Sequence, residues 1–124
     1  KPMSTMAPTI IFDKDDKLFL ITGSPGGSDI PAAILRVITG VIDFDLDIGE
    51  ATMLPRIHKD WPYTGLEHER AVSRDIVRRL KSMGHETEYE TTIGSTQSIH
   101  IVDGINNGFA DLRRPNAGVS VQSN

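Results

Sequence analysis

The sequence predicts a layered α/β domain of the α+β kind, and three observations predict it. Short β-branched and aromatic runs are bounded by turn residues, and they alternate with stretches whose apolar residues recur at helical spacing. The length of 124 residues suits one domain, which can bury roughly two-thirds of its unfolded surface. No repeat, low-complexity tract or linker interrupts the pattern. The expectation is therefore a single unit over residues 1–124, with a polar tail over 116–124 that frays.

The elements follow in order. Thr9-Ile10-Ile11-Phe12 and Leu18-Phe19-Leu20-Ile21 flank Asp13-Lys14-Asp15-Asp16 and read as a hairpin. Both runs are apolar on both faces, which predicts a sheet covered on both sides. Thr22 to Ser28 is a cluster of turn formers. Ile30, Ile34, Val37, Ile38, Val41 and Ile42 then lie on one face of a helix, capped by Ser28 or Asp29, with Pro31 tolerated in its first turn. Gly40 weakens the last turn of that helix. A short helix starts at Asp47, where Glu50 completes a capping box, and Pro55 ends it. The third helix runs from Ser73 to Met83. Ser73 caps it, Asp75 suits its positive end, and Arg78, Arg79 and Lys81 suit its negative end. Ile76, Val77, Leu80 and Met83 form its expected buried stripe, and Gly84 stops it. Strands are expected at 85–89, at 98–102 and near 108–112, with a turn at Asp103-Gly104.

Composition narrows the function. Thirteen Lys+Arg against 17 Asp+Glu give a net charge of −4, without the basic stripe that a nucleic-acid binder needs. The absence of cysteine excludes disulfides, zinc ribbons, thiolate catalysis and iron–sulfur ligation within this chain. No stretch approaches the ~20 apolar residues that span a bilayer. The chain opens on Lys1-Pro2, not on a signal peptide or an initiator Met, so the expectation is a chain that was processed, cut or built from part of a longer protein.

The turn from Gly23 to Ser28 is the main candidate for chemistry. Between a strand and a helix, consecutive N–H groups can point at a phosphate, a carboxylate or a developing oxyanion. Equally, such a turn can serve only to let the helix pack on the sheet. It lacks the Gly-Lys-Ser/Thr of a phosphate loop, the spacing of a dinucleotide fingerprint and the glycine that would make Ser24 a nucleophile elbow. Ser4 and Thr5 are adjacent hydroxyls able to donate to a carboxylate or amide. Asp43, Asp45 and Asp47 imitate the opening of a calcium loop. However, Ile48 stands where its glycine should be and Leu54 where its last acid should be. His58, His68, His85 and His100 have no metal-ligand spacing. Trp61, Pro62 and Tyr63 either line a pocket or pack under a loop. Asp111, Arg113 and Arg114 read as structural ion pairing rather than a carboxylate clamp. No metal and no cofactor is expected.

Several of these segments together carry a resemblance. Lys1-Pro2-Met3-Ser4-Thr5-Met6-Ala7-Pro8-Thr9-Ile10, Thr22-Gly23-Ser24-Pro25-Gly26-Gly27-Ser28 and Val41-Ile42-Asp43-Phe44 resemble the small subunit of γ-glutamyltranspeptidases. So do Pro55-Arg56-Ile57-His58, Gly94-Ser95-Thr96-Gln97-Ser98-Ile99 and Asp111-Leu112-Arg113-Arg114-Pro115, in the same order. The resemblance implies part of an N-terminal-nucleophile hydrolase, an α/β/β/α sandwich made by a self-cleaving precursor. In that family the new N-terminal threonine of the small subunit attacks the γ-glutamyl amide of glutathione-like compounds. The acyl group then passes to an amino acid, a peptide or water.

By position, Gly26 and Gly27 resemble the oxyanion-hole pair. Ser4 and Thr5 resemble the hydroxyls that hold the substrate's α-carboxylate, where many members have two serines. The nucleophilic threonine would lie upstream of Lys1, because neither Thr9 nor Thr22 is N-terminal. The expected partners are a γ-glutamyl substrate, the large subunit and the first part of the small subunit. The family suggests a bacterial periplasmic or exported protein. On this reading the 124 residues are a C-terminal segment, inactive alone. The alternatives are a related acylase or poly-γ-glutamate hydrolase, and a non-catalytic module that binds a small anion.

Overall fold

The computed structural model describes residues 6–63 and 65–120. In chain order the elements are β1 (Thr9–Phe12), β2 (Leu18–Gly23), α1 (Ile30–Ile42), α2 (Ile48–Met53), β3 (Ile57–His58), β4 (Gly65–Glu69), α3 (Arg74–Ser82), β5 (Glu86–Glu90), β6 (Gln97–Val102) and β7 (Ile105–Ala110). They form two compact units, one from Lys1–Leu54 with Gly94–Asn124 and the other from Pro55–Ile93.

The first unit holds an antiparallel sheet in the order β1-β2-β6-β7. The predicted hairpin is present, and Asp13 closes its turn by accepting from the N–H groups of Asp15 and Lys17. Register places Leu20, Thr22, Ser98 and His100 on one face, all buried, against the side carrying α1 and α2. Leu20, Val37, Val41, Ile48 and Ala51 are the core, and Phe109, Ile11 and Leu46 pack around it.

The opposite face carries the row Ile10, Ile21 and Ile99. Ile10 remains 59% exposed and its neighbours are half-buried. Among the described residues of this unit, helices cover the face of Leu20 and Thr22. The sequence could not distinguish the two, because both faces are apolar.

Helix α1 keeps the predicted stripe of Ile30, Ile34, Val37 and Val41, whereas Ile42 is exposed. Gly40 does not end the helix early. A Cβ there would lie 2.9 Å from that of Ala51, so glycine sets how closely α1 and α2 approach. The capping box of α2 is complete: Asp47 accepts from Glu50 N, and Glu50 Oε2 accepts from Asp47 N.

The second unit is a three-stranded sheet in the order β3-β4-β5, in which β4 and β5 are parallel and α3 is the crossover. Ser73 caps α3 by accepting from Ile76 N, and Gly84 follows at φ +91°. The expected stripe of α3 is not buried. Ile76 is 52% and Met83 67% exposed, while Val77 and Leu80 are half-buried. The sheet under α3 is small and its strands alternate with glutamates, so it offers little apolar surface to cover.

A buried polar clasp closes this unit. Arg56, 1% exposed, donates from Nη1 to Ile93 O at 2.8 Å. Glu69 accepts from Arg56 N and Ile93 N, each at 3.0 Å. Both ends of the segment are thereby tied to one carboxylate.

Candidate active site

The Gly23–Ser28 turn joins β2 to α1, and its local chemistry begins at Ser24. That side chain is fully buried, donates to Pro25 O at 2.8 Å and accepts from Ser95 N at 3.0 Å. Its hydroxyl is spent on fixing loops, which fits its rejection as a nucleophile. Gly26 has φ +145°, a conformation that side chains resist, and a Cβ there would come 2.8 Å from Asp29 Oδ1. Gly27 is different. It is exposed and has open space around its missing Cβ.

Asp29 sits at the N-cap of α1 without capping it by its side chain. Its carboxylate turns back into the glycine turn instead. Oδ1 accepts from Gly27 N at 3.0 Å, and Oδ2 accepts from Gly94 N at 2.6 Å. Together, Ser24–Ser95 and Asp29–Gly94 staple the turn to the loop that enters β6. Sequence reasoning named Asp29 only as a possible cap, because Gly94 is 65 positions away and no local pattern links them. The chemical content of the turn is explicit: Gly27 presents its N–H to an anionic oxygen.

Ser4 and Thr5 lie outside the described residues. Met6, next in sequence to Thr5, accepts from Ser24 N through its carbonyl at 3.1 Å. Thr9 Oγ1 donates to Ala7 O, and the Thr22 hydroxyl is buried against that of Ser98 at 2.8 Å, so both are occupied structurally. Asp47 serves as the α2 cap, and the side chains of Trp61 and Tyr63 stand exposed. Among the described residues no group of three or more His or acidic side chains is arranged to hold a metal ion.

Asp111 and Arg113 form the structural pair that their grouping suggested. Asp111 is fully buried, and it accepts from Thr96 N, Arg113 N and Arg113 Nη1 at 3.0, 3.0 and 3.2 Å. Arg113 also donates to Thr52 O and Leu54 O, satisfying carbonyls at the end of α2 that have no helical partner.

A family model described as gamma-glutamyltranspeptidase matches residues 1–121. The chain belongs to the γ-glutamyltranspeptidase family. It is 40% identical over 114 residues to the glutathione hydrolase proenzyme of Escherichia coli, covering 91% of this chain and 20% of that protein. With the Bacillus subtilis glutathione hydrolase proenzyme it shares 36% over 124 residues, covering 98% of this chain and 21% of that protein. It thus spans about a fifth of the length of these relatives. Among solved structures it resembles a variant of the Helicobacter pylori γ-glutamyltranspeptidase, with a TM-score of 0.85 and 34% identity. That match covers 92% of this chain and 63% of the solved one. An acivicin-inhibited γ-glutamyltranspeptidase gives a TM-score of 0.86, also at 34% identity, over 93% of this chain and 63% of that one. The mixed α/β architecture is that of the family's N-terminal-nucleophile hydrolases.

Proposed function

We propose that this chain is the C-terminal segment of a γ-glutamyltransferase or hydrolase acting on glutathione-like compounds. Sequence upstream supplies the nucleophilic threonine, and the large subunit together with the first part of the small subunit completes the fold. The apolar row of exposed Ile10 and half-buried Ile21 and Ile99 supports that pairing, since an apolar sheet face gains about 25 cal/mol per Å² when covered.

Gly26 and Gly27 serve as the oxyanion donors, and Ser4 and Thr5 hold the α-carboxylate of the γ-glutamyl group. The observation carrying this reading is the Asp29 carboxylate bonded to Gly27 N at 3.0 Å, an intramolecular stand-in for a ligand oxygen. The Met6–Ser24 bond supports a common site for the hydroxyl pair and the turn.

The acyl-transfer step places negative charge on the former carbonyl oxygen, and two N–H groups held in the turn stabilise it. Gly27 N–H cannot serve Asp29 and an oxyanion fully at once. Substrate therefore exchanges one anionic oxygen for another, and the Asp29–Gly94 bond keeps the turn in place meanwhile.

The test is release of p-nitroaniline from a γ-glutamyl anilide by the processed longer protein. Gly27→Pro removes the donor and lowers turnover by about two to three orders of magnitude. Gly27→Ala keeps the N–H and the melting temperature, because no atom lies within 4 Å of the added methyl. A proline variant no slower than the alanine variant would overturn the oxyanion assignment. No release by a correctly cleaved parent would overturn the substrate class, and a panel of other acyl groups would then identify the alternative.

A further inference from the structure

The second unit carries a concavity of about 590 Å³, independent of the glycine turn. It lies at the carboxyl ends of the parallel strands β4 and β5, where the chain leaves β4 for α3. In open α/β sheets this is the position where ligands bind. Three guanidinium groups reach its walls: Arg70 just after β4, Arg74 as the first residue of α3, and Arg78 one turn later. Arg78 pairs with Asp75. Arg70 and Arg74 make no ion pair or side-chain hydrogen bond among the described residues.

This clustering runs against two electrostatic preferences. Like charges gathered on a small surface repel, and a cation in the first turn of a helix opposes the macrodipole. The chain as a whole is acidic, at −4, so the cluster does not follow from composition. The remaining walls carry no acidic side chain. Val72 is buried and Val77 half-buried, while Tyr89 stands opposite His68 in the β4–β5 register with ring centroids 6.4 Å apart.

We propose that this concavity binds a small organic phosphate ester. Guanidinium forks match phosphate oxygens bidentately, and three of them exceed what one carboxylate can use. The tyrosine ring and the two valines accept an apolar or aromatic group attached to the phosphate. The site owes nothing to the γ-glutamyl reading and stands or falls separately.

The test is calorimetric titration of the full chain at low salt with phenyl phosphate, inorganic phosphate, benzoate and phenol. Phenyl phosphate is expected to bind about tenfold more tightly than inorganic phosphate, and phenol not at all. Arg70→Gln with Arg74→Gln should weaken phenyl phosphate by about a hundredfold, since one charge-assisted contact is worth roughly tenfold. Tyr89→Ala should remove the preference for phenyl phosphate over inorganic phosphate. All three residues are exposed, so the melting temperature should not move. In the amide NMR spectrum, shifts on adding phenyl phosphate should concentrate at residues 68–78 and 89. Benzoate binding as tightly as phenyl phosphate, affinity indifferent to the arginine variants, or no binding by either method would each overturn the proposal.

Discussion

Asp111 takes three hydrogen bonds while fully buried, which makes it the most heavily committed carboxylate described in the first unit. A buried pair contributes little compared with an apolar replacement, but removing one partner strands the other. Asp111→Asn keeps the shape and removes the charge facing Arg113. The expected loss is about 3 kcal/mol, read as a lower urea midpoint with an unchanged slope. A shift near zero would mean that contacts other than the Asp111 charge, among them Thr52 O and Leu54 O, hold Arg113 in place. The sequence grouped Asp111 with Arg113 correctly. The carbonyls of α2 that Arg113 also serves were out of sight, because they lie about 60 positions earlier.

Helix α3 separates local from tertiary determinants. Ser73, Asp75 and Gly84 mark its ends, and the structure places the ends there because capping is settled within one turn. The stripe of α3 depends on what lies beneath it, and the small sheet buries none of its residues fully. Most of its stability is therefore expected from its ends. Ser73→Ala should cost about 1 kcal/mol, whereas Ile76→Lys, at a 52% exposed site, should change the melting temperature little. Thermal unfolding of the two variants checks the ranking, and the reverse order would show that α3 is held by its stripe after all.

The four-stranded sheet makes the first unit sensitive to pH through His100. This side chain is 9% exposed, packs edge-on against Phe19 with centroids 4.7 Å apart, and has no hydrogen-bond partner for Nε2. Asp45, Asp47 and Asp103 rim the concavity it faces, yet burial sets the direction and lowers its pKa from the ordinary 6.5. The unfolded chain then binds a proton near pH 6.5 that the folded chain refuses, so stability rises with pH there. The contribution is whole above the unfolded value and is lost as pH falls below it. A urea midpoint that declines on acidification from about pH 7.5 to 5.5, and declines less in His100→Gln, is the expected result. Equal declines in both proteins would assign the effect to other groups.

The hairpin, the capping box of α2, the caps of α3 and the glycine turn could all be read directly from residues within four or five positions of one another. Local sterics and local hydrogen bonds decide them, and the ordered segments were enough to recognise the family. The parallel pairing of β4 with β5 was not readable, nor was which face of the β1–β2 hairpin would be covered, because both questions turn on remote surfaces. The same holds at the candidate site. Gly26 and Gly27 stood out by their residue type, but the Asp29–Gly94 bond across 65 positions and the Ser24–Ser95 bond across 71 did not. Hydrophobic burial imposes a period on the sequence. A single polar bond between distant segments imposes none, so only the tertiary structure could decide where those side chains turn.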